Sequence, residues 1–145
     1  MQISDRAGTI LARVVAEAAR RDESLVEPEA VLHGILREGE GVACLALRRL
    51  GVEPTAIAVP SAPSLAKPAI RSSAIPVGND RLPPGLLITA GEEATALGHR
   101  YIGTKHLLLA LAGPRYPRIA AVLADQGITL PAARRVIGEL LGRQL

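Results

Sequence analysis

The stretch that decides the fold is Gly98–Leu111, GHRYIGTKHLLLAL. Two histidines, a tyrosine, a lysine and a threonine stand directly ahead of a run of leucine and alanine. Such a group can be a reaction centre, or a loop that turns and starts a core helix. Spacing argues against a metal. His99 and His106 are separated by a loop, and no cysteine or carboxylate completes a ligand set with them. His33 stands at an apolar helix position, and all three histidines read as structural, with the His106 ring in reach of a loop carbonyl. A phosphate cradle is also excluded, because GHRYIGTK carries Thr-Lys where a P-loop needs Lys-Ser or Lys-Thr. A DNA-reading helix needs polar and basic residues along one face, whereas Thr104–Ala112 is almost all Leu and Ala after Lys105 and His106. Cys44 lies in the helical run GVACLALRRL and reads as a small buried apolar residue, and there is no G-x-S-x-G nucleophile turn. The stretch therefore reads as a loop feeding a core helix. Gly98 and Gly103 shape its turns, Tyr101 and Ile102 anchor it, Thr104 caps, and Leu107, Leu108 and Leu111 pack inward.

Working outward, the same pattern recurs earlier in the chain. Shifted by 76 residues, Leu11 meets Leu87, Glu17-Ala18 meets Glu93-Ala94, Leu32 meets Leu108, Leu47 meets Leu123 and Gly51 meets Gly127. Apolar character also matches where identity fails, as for Val26 and Ile102 or Ile35 and Leu111. A match without gaps at one fixed offset marks a tandem repeat. In the first copy Ser4 caps a helix reaching about Arg21, Pro28 opens a second, Val42–Leu50 forms a third ended by Gly51, and VEPTAIA starts a short fourth. In the second copy helices are expected from about Pro83 to Leu97, Thr104 to Ala112, Arg118 to Gln126 and Pro131 to Leu141. The expected organisation is repeat one over 3–58, a proline- and serine-rich linker over 59–79, and repeat two over 80–145, all forming one domain at 1–145. The fold class is all-α: two tandem pseudo-symmetric four-helix repeats packed as one globule.

Composition agrees. Hydrophobic residues make up 48% of the chain, yet there is no Phe and no Trp, so the core must be aliphatic, as helix packing allows. The formal charge of +3 is spread over mixed-charge helix faces, which argues against a nucleic-acid interface. Cys44 is the only cysteine, which excludes an internal disulfide. The amino-terminal stretch has no apolar run long enough for a signal peptide, and no stretch approaches the ~20 residues of a membrane span. A soluble, cytoplasmic, non-catalytic binding module without cofactor or metal is expected.

The residues also resemble a known family. EATALGHRYIGTKHLLLAL (Glu93–Leu111), ILREGEGVACLALRRLGVE (Ile35–Glu53) and the opening ISDRA are similar to the N-terminal double-repeat domain of Clp/Hsp100 unfoldases, especially the ClpC branch. The resemblance implies two tandem four-helix repeats that capture substrate and adaptor proteins, recognise phosphoarginine and bind cyclic-peptide antibiotics. It implies candidate ligand-binding positions at Ile3, Ser4, Pro28, Glu29, Asn79, Asp80, Thr104 and Lys105. Each repeat keeps only one of two family hallmarks: the first reads DESLVEPEA, and the second GPRYPRIA, where the other belongs. The family's Thr-Glu pair is Pro28-Glu29 in one repeat and Thr104-Lys105 in the other, and the groove phenylalanines are Ile3 and Asn79. Phosphoarginine and cyclic-peptide recognition are therefore expected to be weakened. If the chain is complete, the ATPase modules are missing, leaving an accessory or decoy that sequesters peptides aimed at a Clp unfoldase. The other reading is the amino-terminal piece of a longer unfoldase. A helical nucleic-acid-binding regulator is the alternative from another class.

Overall fold

The computed structural model describes residues 2–23, 25–59 and 81–142. Most of the expected linker, with Asn79 and Asp80, lies outside these residues. The elements run β1 (Gln2–Ile3), α1 (Asp5–Arg20), α2 (Pro28–Glu38), α3 (Gly41–Arg49), a 3-10 turn (Pro54–Ala56), α4 (Leu86–Ala96), β2 (Tyr101–Ile102), α5 (Thr104–Ala112), α6 (Pro117–Asp125) and α7 (Leu130–Leu140).

The repeat is visible in backbone detail. After α3, Gly51 takes φ +88° and Val52 N–H donates to Leu47 C=O at 2.9 Å; after α6, Gly127 takes φ +81° and Ile128 N–H donates to Leu123 C=O at 2.9 Å. These are one helix-ending motif made twice, 76 residues apart. The ends of α1 and α4 match in the same way. Glu23 N–H reaches Ala18 C=O and His99 N–H reaches Ala94 C=O, both at 2.9 Å.

Helix heads follow from local chemistry. The Ser4 hydroxyl accepts from Ala7 N–H at 3.2 Å, and the Thr129 hydroxyl from Ala132 N–H at 3.3 Å. Pro28 and Pro117 sit at first-turn positions, where no N–H is needed. The first helix of the second repeat begins at Leu86 rather than near Pro83, since Pro83–Gly85 form a turn and Gly85 takes φ +79°. That turn is held from α6's leading loop: Tyr116 hydroxyl donates to Pro84 C=O at 2.6 Å.

Every residue of α5 is buried, from Thr104 to Ala112. It packs against α2, α3, α4, α6 and α7, so the Leu/Ala run is the axis of the molecule. One aliphatic cluster spans both repeats, through Ile10, Leu32, Leu47, Leu86, Leu108 and Leu123. A second, with Ala46, Leu109, Ala133, Val136 and Ile137, joins α3 to α5 and α7. The first repeat has only the Pro54–Ala56 turn where the second has α7.

The repeats also exchange backbone. The short parallel pair β1–β2, absent from the sequence reading, aligns Ile3 with Ile102, and Ser4 N–H donates to Ile102 C=O at 2.8 Å. In the reverse direction, Val26 N–H donates to Arg81 C=O at 2.8 Å. Each repeat's leading segment thus bonds to the loop of the other.

Candidate functional site

The candidate positions fall at two related places. The first gathers the heads of α5, α3 and α1. There Ile3 lies in β1, Ser4 caps α1, and Thr104 and Lys105 begin α5. A side chain added at Gly41, the first residue of α3, would stand 3.1 Å from Thr104 Oγ1 and 2.9 Å from Arg6 Cδ, which shows how tightly these heads meet. Arg6 is ion-paired with Glu38 and reaches Glu40 at 3.5 Å.

Lys105 is only 5% exposed. Its ammonium donates to the Tyr101 hydroxyl at 2.8 Å, and the same nitrogen lies 4.6 Å from the ring centroid. Those two distances place it at the oxygen edge of the ring rather than over its face. The hydrogen bond, not a cation–π contact, is therefore what holds it.

His106, fully buried, completes the α5 head. Its Nδ1 accepts from Gly103 N–H at 2.8 Å, filling the position a Glu or Gln takes in a capping box. The N-cap residue is Gly103 rather than Thr104, and His106 bonds a backbone N–H rather than a loop carbonyl. With Nδ1 accepting, the neutral ring carries its proton on Nε2, which donates to His99 Nδ1 at 2.9 Å. Burial first, then the charge of Lys105, holds the His106 pKa down to about 4. The Tyr101 ring stacks on His99 at 5.3 Å between centroids. Gly103 has an ordinary φ of −111°; what requires glycine is space, since an added carbon would lie 3.2 Å from Lys105 Nζ.

The second place gathers the heads of α2 and α6. Glu29, the residue after Pro28, is 5% exposed, and its Oε2 pairs with Arg118 at 2.9 Å. Its Oε1 is buried and accepts no hydrogen bond from the described residues. A cavity of about 180 Å³ opens beside it, lined by Pro28, Arg115, Tyr116 and Ile119 among others. Arg115 is fixed by donating to Thr89 Oγ1 at 2.9 Å. Neither Arg118 nor Tyr116 was marked by the sequence reading. The signal was present: Gly41 and Pro117, the first residues of α3 and α6, are equivalent under the 76-residue shift, so the head of α3 beside Thr104 points to the head of α6 beside Glu29.

The remaining residues of interest have structural surroundings. Cys44 is buried, lies 3.5 Å from Ile35 C=O, and has its pKa raised by burial. His33 is exposed, not at an apolar position as its place in the periodicity predicted. No group of three or more histidine, cysteine or carboxylate side chains able to hold a metal occurs among the described residues. No single helix among them is long and apolar enough to cross a membrane.

The fold thus defines a class: a helical double repeat whose two halves are interlocked around one buried helix. The comparisons then identify it. The family described as "Clp repeat (R) N-terminal domain" matches residues 85–145. The chain is 33% identical over 144 residues to the chaperone protein ClpB of Oceanobacillus iheyensis, covering 97% of this chain and 17% of that protein. It is 33% identical over 141 residues to the negative regulator of genetic competence ClpC/MecB of Bacillus subtilis, again covering 97% of this chain and 17% of the relative. The Hsp104 N-terminal domain from Candida albicans has the same fold, with a TM-score of 0.68, 17% identity, and coverage of 99% of this chain and 94% of that one. Residues 85–145 belong to the Clp N-terminal repeat family, and the chain as a whole is similar to these Clp relatives. It spans about a sixth of the length of these curated relatives, 17% in each case.

Proposed function

We infer that this domain recruits proteins to a Clp-type unfoldase, with substrates or adaptors as its partners, and that its recognition of phosphoarginine is weakened. The family likeness to ClpB and ClpC supports the recruiting role. The state of Lys105 carries the second part. An acid at this position would attract a guanidinium, whereas a buried ammonium held on Tyr101 repels one across a short, poorly solvated distance. The candidate ligand positions are Ile3, Ser4, Thr104 and Lys105 at one place and Pro28 and Glu29 at the other, with Ile3 offering less apolar area than an aromatic ring. Calorimetric titration with free phosphoarginine tests this. The expected outcome is no measurable binding at the α5 head, recovered in Lys105→Glu. Micromolar binding by the unaltered chain, mapped to Gly103–His106, would contradict it.

A further inference from the structure

We propose that Arg118 is an internal guanidinium that holds the Glu29 carboxylate and keeps external cations out of the cavity at the heads of α2 and α6. The inference rests on the reading that this place is a ligand site, and it adds how that site is regulated.

The ion pair is strongly unequal. The Glu29 side chain is 6% exposed, and that of Arg118 is 66% exposed. A buried carboxylate without a cation is costly, whereas an arginine on the surface loses little by returning to water. Glu29 therefore needs a cation, and Arg118 does not need Glu29. An arginine anchored at the head of α6 is present at high effective concentration, so a free ligand competes against it poorly.

Arg118 also leaves part of the carboxylate unused. A guanidinium in fork geometry engages both oxygens of a carboxylate. Arg118 pairs with Oε2, and Oε1 stays buried without a donor among the described residues, beside the cavity of about 180 Å³. An external guanidinium has a better arrangement available than the tethered one, once the tethered one is gone. While Arg118 stays, the lining carries Glu27 and Glu29 against Arg115 and Arg118, so an arriving cation meets no net attraction.

Methylguanidinium and L-arginine, titrated into the 145-residue chain, provide the test. The amide signals of Glu29, Ala30 and Val31 report the α2 head, and those of Gly103–His106 report the α5 head. In Arg118→Ala, methylguanidinium is expected to shift the α2 signals with a Kd about tenfold or more below that of the unaltered chain, and to raise the melting temperature selectively. The double variant Arg118→Ala/Glu29→Gln should lose both responses. Arg118→Gln, which keeps a neutral donor near Oε2, guards against a variant that fails to fold and should give the same gain. Equal response in altered and unaltered chains, or no response in any of them, overturns the proposal. Because phosphoarginine recognition is judged from the α5 signals and Arg118 from the α2 signals, failure of one reading is distinguishable from failure of the other.

Discussion

Glu29 and Lys105 occupy the same place in the two repeats, the second residue of α2 and of α5, and carry opposite charges at equal burial, each 5% exposed. Duplicated geometry has thus been given two electrostatic solutions. Glu29 is neutralised by a distant arginine, while Lys105 rests on a tyrosine hydroxyl four residues before it.

The Lys105 solution is costly to the fold. A buried ammonium satisfied by one neutral hydroxyl recovers less than it loses in hydration. Replacing it with methionine, which matches its length without charge, should stabilise the domain by about 1–2 kcal/mol. Urea unfolding should show a higher midpoint at unchanged slope.

His106 makes stability depend on pH. Its folded pKa of about 4 lies below the ordinary 6.5, so the unfolded chain binds the proton more readily. The contribution is complete above pH 6.5 and is lost as pH falls toward 4, by about 3 kcal/mol at most. Denaturant titrations across this window should show the decline. His106→Gln, which keeps an acceptor for Gly103 N–H, should remove that part of it.

The ends of α1 and α4 allow a comparison free of packing effects. Asp22 takes φ +60°, and its equivalent Gly98 takes φ +78° with no atom within 4 Å of an added side-chain carbon. Gly98→Ala should cost about 1 kcal/mol from backbone strain alone. Gly98→Asp should cost less, because aspartate tolerates the left-handed region and already does so at Asp22. Thermal unfolding of the two variants should rank them in that order.

The Tyr116 hydroxyl holds the turn before α4 through Pro84 C=O, and burial raises its pKa. Tyr116→Phe should leave that carbonyl without its partner and cost about 1 kcal/mol. Hydrogen exchange should speed up first at the head of α4, before any global loss of stability.

The helices were legible because an aliphatic core imposes a 3.6-residue period that survives drift in identity, as at Leu32 and Leu108. The ends at Gly51 and Gly127 were legible because few residues adopt that φ. The β1–β2 pair was not, since two residues are too few to show a period. The late start of α4 escaped because proline is acceptable in a first turn, and only Gly85 and the Tyr116 contact exclude that option here. In the candidate site, Lys105 was legible as a ligand position but its burial was not, and nothing local to Glu29 points to Arg118 far along the chain. Contacts of that kind belong to topology, and the repeat offset was the only sequence signal that carried topology.

The exchange of leading segments has a mechanical meaning. A pull on Gln2 is borne first by β2, next to the head of α5, because Gln2 and Ile3 pair with Tyr101 and Ile102 and the Ser4 N–H donates to Ile102 C=O ahead of the first turn of α1. Tension applied at that end is therefore delivered across the repeat boundary, to the loop holding Tyr101, Gly103 and His106, before α1 is loaded along its length.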